Sequence, residues 1–424
     1  MMATATYPEG YRILDEAGVR AFLGSLAAIA QRLGGTPADW RIAEVGDGNL
    51  NLVFIVDGPC GSACVKQAVP YVRVAGPSWP MTLERARFET EYLRCVAPHV
   101  GGAMPELLHY DPRLYCIVME RLAPHVILRQ GLMAGRRHPR VGRDLGDFVA
   151  RACFFTSDFA QPFEQKLAGV ARFAANQDLL RISVDLIFVD PYVDSPRNRH
   201  TSPQLDAAAA DLRADPEVKA AVARFGRKFL TESQALLHGD LHTGSVMATA
   251  ADSRIIDPEF AFYGPIGFDL GAFLGNLLMS WYSQPGHALR GEDRGAQRIH
   301  ILEQAKSFWD TFHDQFLTLW REQGRGDAYP RILFAASGDA QVLERLRREF
   351  MDTLFADMIG FAACKIIRRI LGFAHVADFE RIEDPAMRAR CEAGALRLAR
   401  WFLTRPQDFS RIDHVLEAAP RMAD

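Results

Sequence analysis

Two short segments of this chain carry carboxylates at a spacing that suits phosphoryl transfer. They are Leu237-His238-Gly239-Asp240-Leu241-His242-Thr243-Gly244-Ser245 and, soon after, Ile255-Ile256-Asp257-Pro258-Glu259. Moving a phosphoryl group needs little covalent help, so one carboxylate that orients an acceptor hydroxyl and takes its proton suffices beside a metal and a lysine. Asp240 has the type and setting for that role. Magnesium prefers hard oxygen ligands and bridges phosphates, which makes Asp257 and Glu259 the natural metal pair. Asp-Pro-Glu alone is an ordinary turn, and its distance from Asp240 gives it meaning. Pro258 has a fixed φ and no N–H, so the metal site is expected to be constitutively assembled rather than flipped in and out. His238 and His242 stand four apart, a zinc-like spacing, yet the intervening Gly239 and Asp240 argue for a loop in which His238 bonds backbone.

These segments need elements that bring them together. Residues 14–33 space Val19, Phe22, Leu23, Leu26, Ile29 and Leu33 as one amphipathic helix ended by Gly34-Gly35. Residues 42–45, 50–56 and 64–67 read as strands joined by glycine turns, 82–96 as a helix, and 106–110 and 114–120 as two more strands. Gly46, Gly48, Asn49 and Asn51 lie in a glycine hairpin whose amides, helped by the asparagine side chains, would cover phosphates. Beyond Pro124 the pattern is mainly helical, with residues 193–204 a polar loop and strands returning near 235–238 and 254–257. The expected architecture is α+β. It has a small β-rich lobe (1–122: leading helix, five-stranded antiparallel sheet, one helix) and a large helical lobe (123–424), with a nucleotide cleft between them.

The Asp240 segment resembles the catalytic loop of protein kinases and of the related antibiotic and choline kinases. That resemblance gives Lys66, in an apolar strand, the phosphate-binding role and makes Glu89 its partner, with Glu91 the weaker alternative. It also places the adenine against the lobe junction Glu120-Arg121-Leu122, through the Glu120 carbonyl and the Leu122 amide.

Longer runs narrow the family. LLHGDLHTGSVMA (236–248), IDPEFAFYGPIGFDLGAFLGN (256–276), GDGNLNLVF (46–54), KQAVPYVRVAGPSWPMTLERARFE (66–89) and CKIIRRILGFAHVAD (364–378) together resemble methylthioribose kinase. Ser245 and Glu259, which depart from protein kinases, are shared with this family, whereas Arg121 stands where its relatives carry an acidic residue. The resemblance implies transfer of the ATP γ-phosphate to the 1-hydroxyl of 5-methylthioribose, with ATP and Mg2+ as cofactors, in a homodimer serving methionine salvage. By motif, Asp240 is the catalytic and sugar-facing carboxylate, and Asp257 and Glu259 hold magnesium. Arg368 and Arg369 face the sugar and the transferring phosphate, Trp79 lies near the sugar, and Asp269 supports the catalytic loop through its backbone. Another small-molecule kinase of this fold, of choline, homoserine or aminoglycoside type, and a nucleotide-binding pseudokinase are the competing readings.

Composition is consistent with this. The 424 residues are 49% hydrophobic and 24% charged, a globular balance large enough for two packed units. Forty-nine basic and fifty-two acidic residues leave a net charge of -3, with no electrostatic footprint for nucleic acid or anionic membrane. Neither a spanning apolar run nor a leader is evident, so the expected location is the cytoplasm. The seven cysteines are scattered and read as free thiols.

Overall fold

The computed structural model describes residues 8–46, 50–73 and 76–423. Two helices lead, α1 (Glu16–Gly24) and α2 (Ala27–Leu33), where the apolar spacing predicts one. The break has a local cause: the Ser25 hydroxyl bonds the Phe22 carbonyl at 2.7 Å, and Leu26 adopts an extended conformation before the chain turns back into helix. Both halves still bury Phe22, Leu23, Ile29 and Leu33 in one cluster, which is why the periodicity survives the break.

Then come β1 (Arg41–Glu44), β2 (Asn51–Asp57), β3 (Ser62–Ala68), β4 (Tyr71–Val72), β5 (Gly76–Pro80), α3 (Arg85–Val96), β6 (Leu107–Asp111) and β7 (Cys116–Met119). Five of these strands form the expected antiparallel sheet, whose order is β1-β2-β3-β7-β6, and β4 and β5 add a separate, unexpected hairpin. Branched and aromatic residues on one face of the sheet (Phe54, Val56, Val65, Val118) pack under α1 and α2. The opposite face meets α3 through Leu83, Ala86, Ile117 and Met119.

The rest is mainly helical: β8 (Val126–Ile127), α4 (Leu128–Met133), α5 (Val141–Phe155), α6 (Phe163–Phe173), α7 (Gln177–Val184), α8 (Asp206–Ala214) and α9 (Pro216–Thr231). There follow β9 (Ala235–Leu237), β10 (Val246–Ala248), β11 (Ser253–Ile255), β12 (Phe262–Gly264), α10 (Ile266–His287), α11 (Gly295–Gln323), α12 (Asp339–Leu371), α13 (Ala377–Glu380), α14 (Pro385–Thr404) and α15 (Ile412–Arg421). Helix α10 is buried on every side from Ile266 to Gln284, as its almost wholly apolar sequence requires. It lies unusually close to α12: a Cβ on Gly271 would sit 2.6 Å from the Met358 carbonyl oxygen and the Ala362 nitrogen, and one on Gly267 would sit 2.5 Å from Asp357 Cβ. The main core runs from these helices into α3 through Phe88, Tyr92, Leu93 and Val96, so α3 belongs to both halves of the molecule. No helix among the described residues is long and apolar enough to cross a membrane.

Candidate active site

Strand β9 ends at Leu237 and delivers the His238–Ser245 loop. Asp269, in the first turn of α10, accepts hydrogen bonds from His238 N at 2.7 Å and Gly239 N at 3.1 Å, which fixes the loop's entry. Gly239 has φ +84°, and a Cβ there would meet the Phe260 carbonyl oxygen at 2.1 Å, so this position requires glycine. The Asp240 amide donates to His238 Nδ1 at 3.3 Å, which puts the histidine proton on Nε2, facing the Ile256 carbonyl at 2.9 Å. His238 therefore joins the Asp240 loop to the Asp257 segment, and no described residue makes it a metal ligand.

His242 follows the same logic. Its Nδ1 accepts from the Gly244 and Ser245 amides, both at 3.0 Å, leaving Nε2–H directed at Asp240 Oδ2, 3.3 Å away. Burial holds its pKa down to about 4, so the ring is neutral near pH 7. The Asp240 side chain is 21% exposed and ringed by cations, with Lys365 Nζ 3.1 Å from Oδ1 and Arg369 Nη2 3.7 Å from Oδ2. Burial opposes its charge, but Lys365, His242 and Arg369 outweigh that and hold the carboxyl well below the usual carboxylate range.

A second cluster lies between sheet and loop. Lys66 on β3 pairs with Glu89 of α3 at 2.6 Å and also with Asp257. Glu91 points elsewhere and pairs with Arg87 at 3.0 Å. Carboxylate oxygens of Glu89, Asp257 and Glu259 all come within 4.8 Å of one another. Burial pushes Glu89 up to about 7 and Glu259 upward as well, and repulsion among the three carboxylates adds to both shifts. Lys66 is buried too, yet the same carboxylates secure its charge and raise its pKa. Three carboxylates thus face two buried cations, Lys66 and Arg85, and the surplus negative charge and hard oxygen donors fit a divalent cation. Asp257, at φ +71° and with 45% of its side chain exposed, is the open member of the set.

Glu259, the second expected metal ligand, is buried: its Oε2 accepts from Asn51 Nδ2 at 2.8 Å, Arg85 Nε lies 3.4 Å away, and its carboxylate remains in the cluster with Glu89 and Asp257. Asn51 accordingly spends its amide on Glu259 and on Arg85 (3.1 Å), where the hairpin reading gave it to phosphate. Gly48 and Asn49 lie outside the described residues, and Gly46 stands two residues past the end of β1. At the lobe junction, Glu120 donates its amide to the Glu106 carbonyl at 2.9 Å, Arg121 pairs with Asp57 of β2, and Leu122 follows the end of β7. Pro258 lies between Asp257 and Glu259 in the turn that separates their carboxylates, one open and one buried.

Arg368 and Arg369 end α12 beside Asp240. Both are buried, and among the described residues neither Nε has a hydrogen-bond partner. Trp79 of β5 packs its ring 5.1 Å from that of Phe373, which follows the end of α12. Sequence reasoning missed Arg85 and Lys365. Both lie inside runs that carry the family resemblance, but a lone basic residue on a helix ordinarily reads as a solvated face.

Residues 41–309 match the model of the phosphotransferase enzyme family. The chain is 43% identical over 411 residues to methylthioribose kinase 1 of Oryza sativa subsp. japonica, covering 96% of this chain and 95% of that protein. It is 41% identical over 417 residues to a methylthioribose kinase of Escherichia coli, covering 98% and 99%. Shared sequence of this extent means that the chain belongs to the phosphotransferase enzyme family and, within it, to the methylthioribose kinases.

Proposed function

We propose that this ATP-dependent kinase transfers the γ-phosphate of ATP to the 1-hydroxyl of 5-methylthioribose, giving S-methyl-5-thioribose 1-phosphate for methionine salvage. The observation that carries the reading is the charge around Asp240. One anionic carboxylate faces Lys365, Arg368 and Arg369, a setting that favours a neutral sugar gaining a phosphate and disfavours the cationic acceptors of choline or aminoglycoside kinases.

In this account Asp240 accepts the proton of the sugar hydroxyl as its oxygen bonds to the γ-phosphorus, and the bond from that phosphorus to the β-phosphate oxygen breaks to leave ADP. The proton passes from Asp240 to solvent. Arg368 and Arg369 neutralise the equatorial oxygens, a task for which guanidinium groups suit because they keep their charge even when buried. Lys66, held by Glu89, addresses the ATP phosphates, and the backbone of 120–122 takes the adenine edge. Asp257, backed by Glu259, would hold magnesium, which supplies charge neutralisation across the phosphates when bound. The working unit in this reading is a cytoplasmic homodimer, and its mass by light scattering should be twice that of one chain.

The test is phosphate transfer from magnesium ATP to 5-methylthioribose, run beside choline, homoserine and 5-deoxyribose. Selective formation of the 1-phosphate supports the proposal. Turnover of a cationic acceptor with silence on the thiosugar rejects it.

A further inference from the structure

We infer that Lys365 is a positioning residue for the reaction, anchoring Asp240 through Oδ1 so that Oδ2 is the oxygen presented to the acceptor hydroxyl. The inference rests on the function proposed above and goes further, because it assigns a task to a residue on an element far from the catalytic loop.

The geometry is specific. Lys365 lies on α12 one turn before Arg368 and Arg369, at the spacing that puts all three on one helix face. Its side chain is 3% exposed, and its Nζ donates to Asp240 Oδ1 at 3.1 Å while lying 4.4 Å from the centroid of the Phe268 ring. A buried ammonium is costly unless a carboxylate meets it, so the contact with Asp240 fixes both partners. The helix cannot slide away, since the glycine face of α10 holds it at backbone contact. The other oxygen of Asp240 is flanked by His242 Nε2 at 3.3 Å and Arg369 Nη2 at 3.7 Å, both longer contacts, which leaves it the more available to an incoming hydroxyl.

The charged groups facing Lys365 are Asp240 from the loop, Arg368 and Arg369 from its own helix, and Asp269 from α10. Burial, together with the two arginines and against the pull of Asp240, brings the lysine down to about 8. Its charge is thus present below that pH and lost as pH rises through it. Losing it removes the cation that, against burial, contributes most to keeping Asp240 ionised.

The test compares the native chain with Lys365→Met, which keeps the stem and its packing, and Lys365→Arg, which restores a cation. The native chain is assayed on 5-methylthioribose first. If it is inactive there, the substrate reading fails, and the comparison is made with whichever acceptor it does phosphorylate. The methionine variant should lose about 100-fold in kcat with KM for ATP within about twofold of native. Its acid limb in kcat/KM should move up by at least about one pH unit, because Asp240 has lost its neighbouring cation. The arginine variant should recover at least about tenfold of the loss in kcat. A methionine variant within about threefold of native kcat, with the acid limb unmoved, would show the pair to be structural and overturn the inference. Should that variant lose the thermal shift given by magnesium ADP and so prove unfolded, the native profile decides. A fall in kcat/KM centred near pH 8 supports Lys365, and a flat profile from pH 7 to 9.5 sinks it.

Discussion

At the scale of single residues, the site divides into groups that act and groups that hold them. In the proposed mechanism Asp240 acts, with a carboxyl that its cationic neighbours hold well below the usual carboxylate range. Replacing it with asparagine keeps shape and removes the proton acceptor, so turnover should fall about 10²–10⁴-fold while calorimetry finds ADP binding unchanged. Wild-type turnover in that variant would remove Asp240 from the chemistry. Arg85 holds. Its guanidinium is fully buried, lies 3.4 Å from Glu259, and donates to the Leu50 and Val69 carbonyls, both at 2.8 Å. Arg85→Leu leaves Glu259 buried without its cation, and denaturant unfolding should show a loss of about 3–5 kcal/mol. For Arg368→Ala and Arg369→Ala, kcat should fall and KM for the sugar should rise, since in the proposed mechanism each removes a cation that neutralises the transferring phosphate; unchanged kinetics would make the pair structural.

At the scale of elements, the spacing of α10 and α12 sets the distance between catalytic loop and cations. Asp269 at the start of α10 grips the loop, while Lys365, Arg368 and Arg369 ride on α12. Gly271→Val should force the helices apart, costing about 1–3 kcal/mol by thermal unfolding and lowering kcat in the same variant. A variant with native stability and native turnover would mean that this close approach positions nothing. Much of this scale could be read from the residues. The five strands of the main sheet are short β-rich runs set off by turns, which is enough for them to be found, and the Asp240 and Asp257 segments are long enough to be unmistakable. The strands β8, β10 and β12 are two or three residues long, too short to show a period. The α1–α2 break hides because both helices bury the same face. Lys365 hides for another reason: it lies 125 residues from Asp240, and its pairing exists only once α12 docks on α10.

At the scale of the whole molecule, the question is which acceptor the site selects. Trp79, from the hairpin beside the sheet, meets Phe373 just past the end of α12, an apolar contact that joins the two halves of the molecule. Apolar surface discriminates apolar substituents only modestly. The kcat/KM for 5-deoxyribose should therefore be lower than for 5-methylthioribose by about 10–200-fold rather than absent. Undetectable turnover of 5-deoxyribose would call for a more selective pocket. The central claim, that these elements assemble a kinase for the anomeric hydroxyl of a thiosugar, is tested most directly by following 5-methylthioribose with magnesium ATP and identifying the product by phosphorus NMR. The account predicts a single sugar 1-phosphate formed together with ADP. Phosphate at another hydroxyl, or no transfer while another acceptor is phosphorylated, would contradict it.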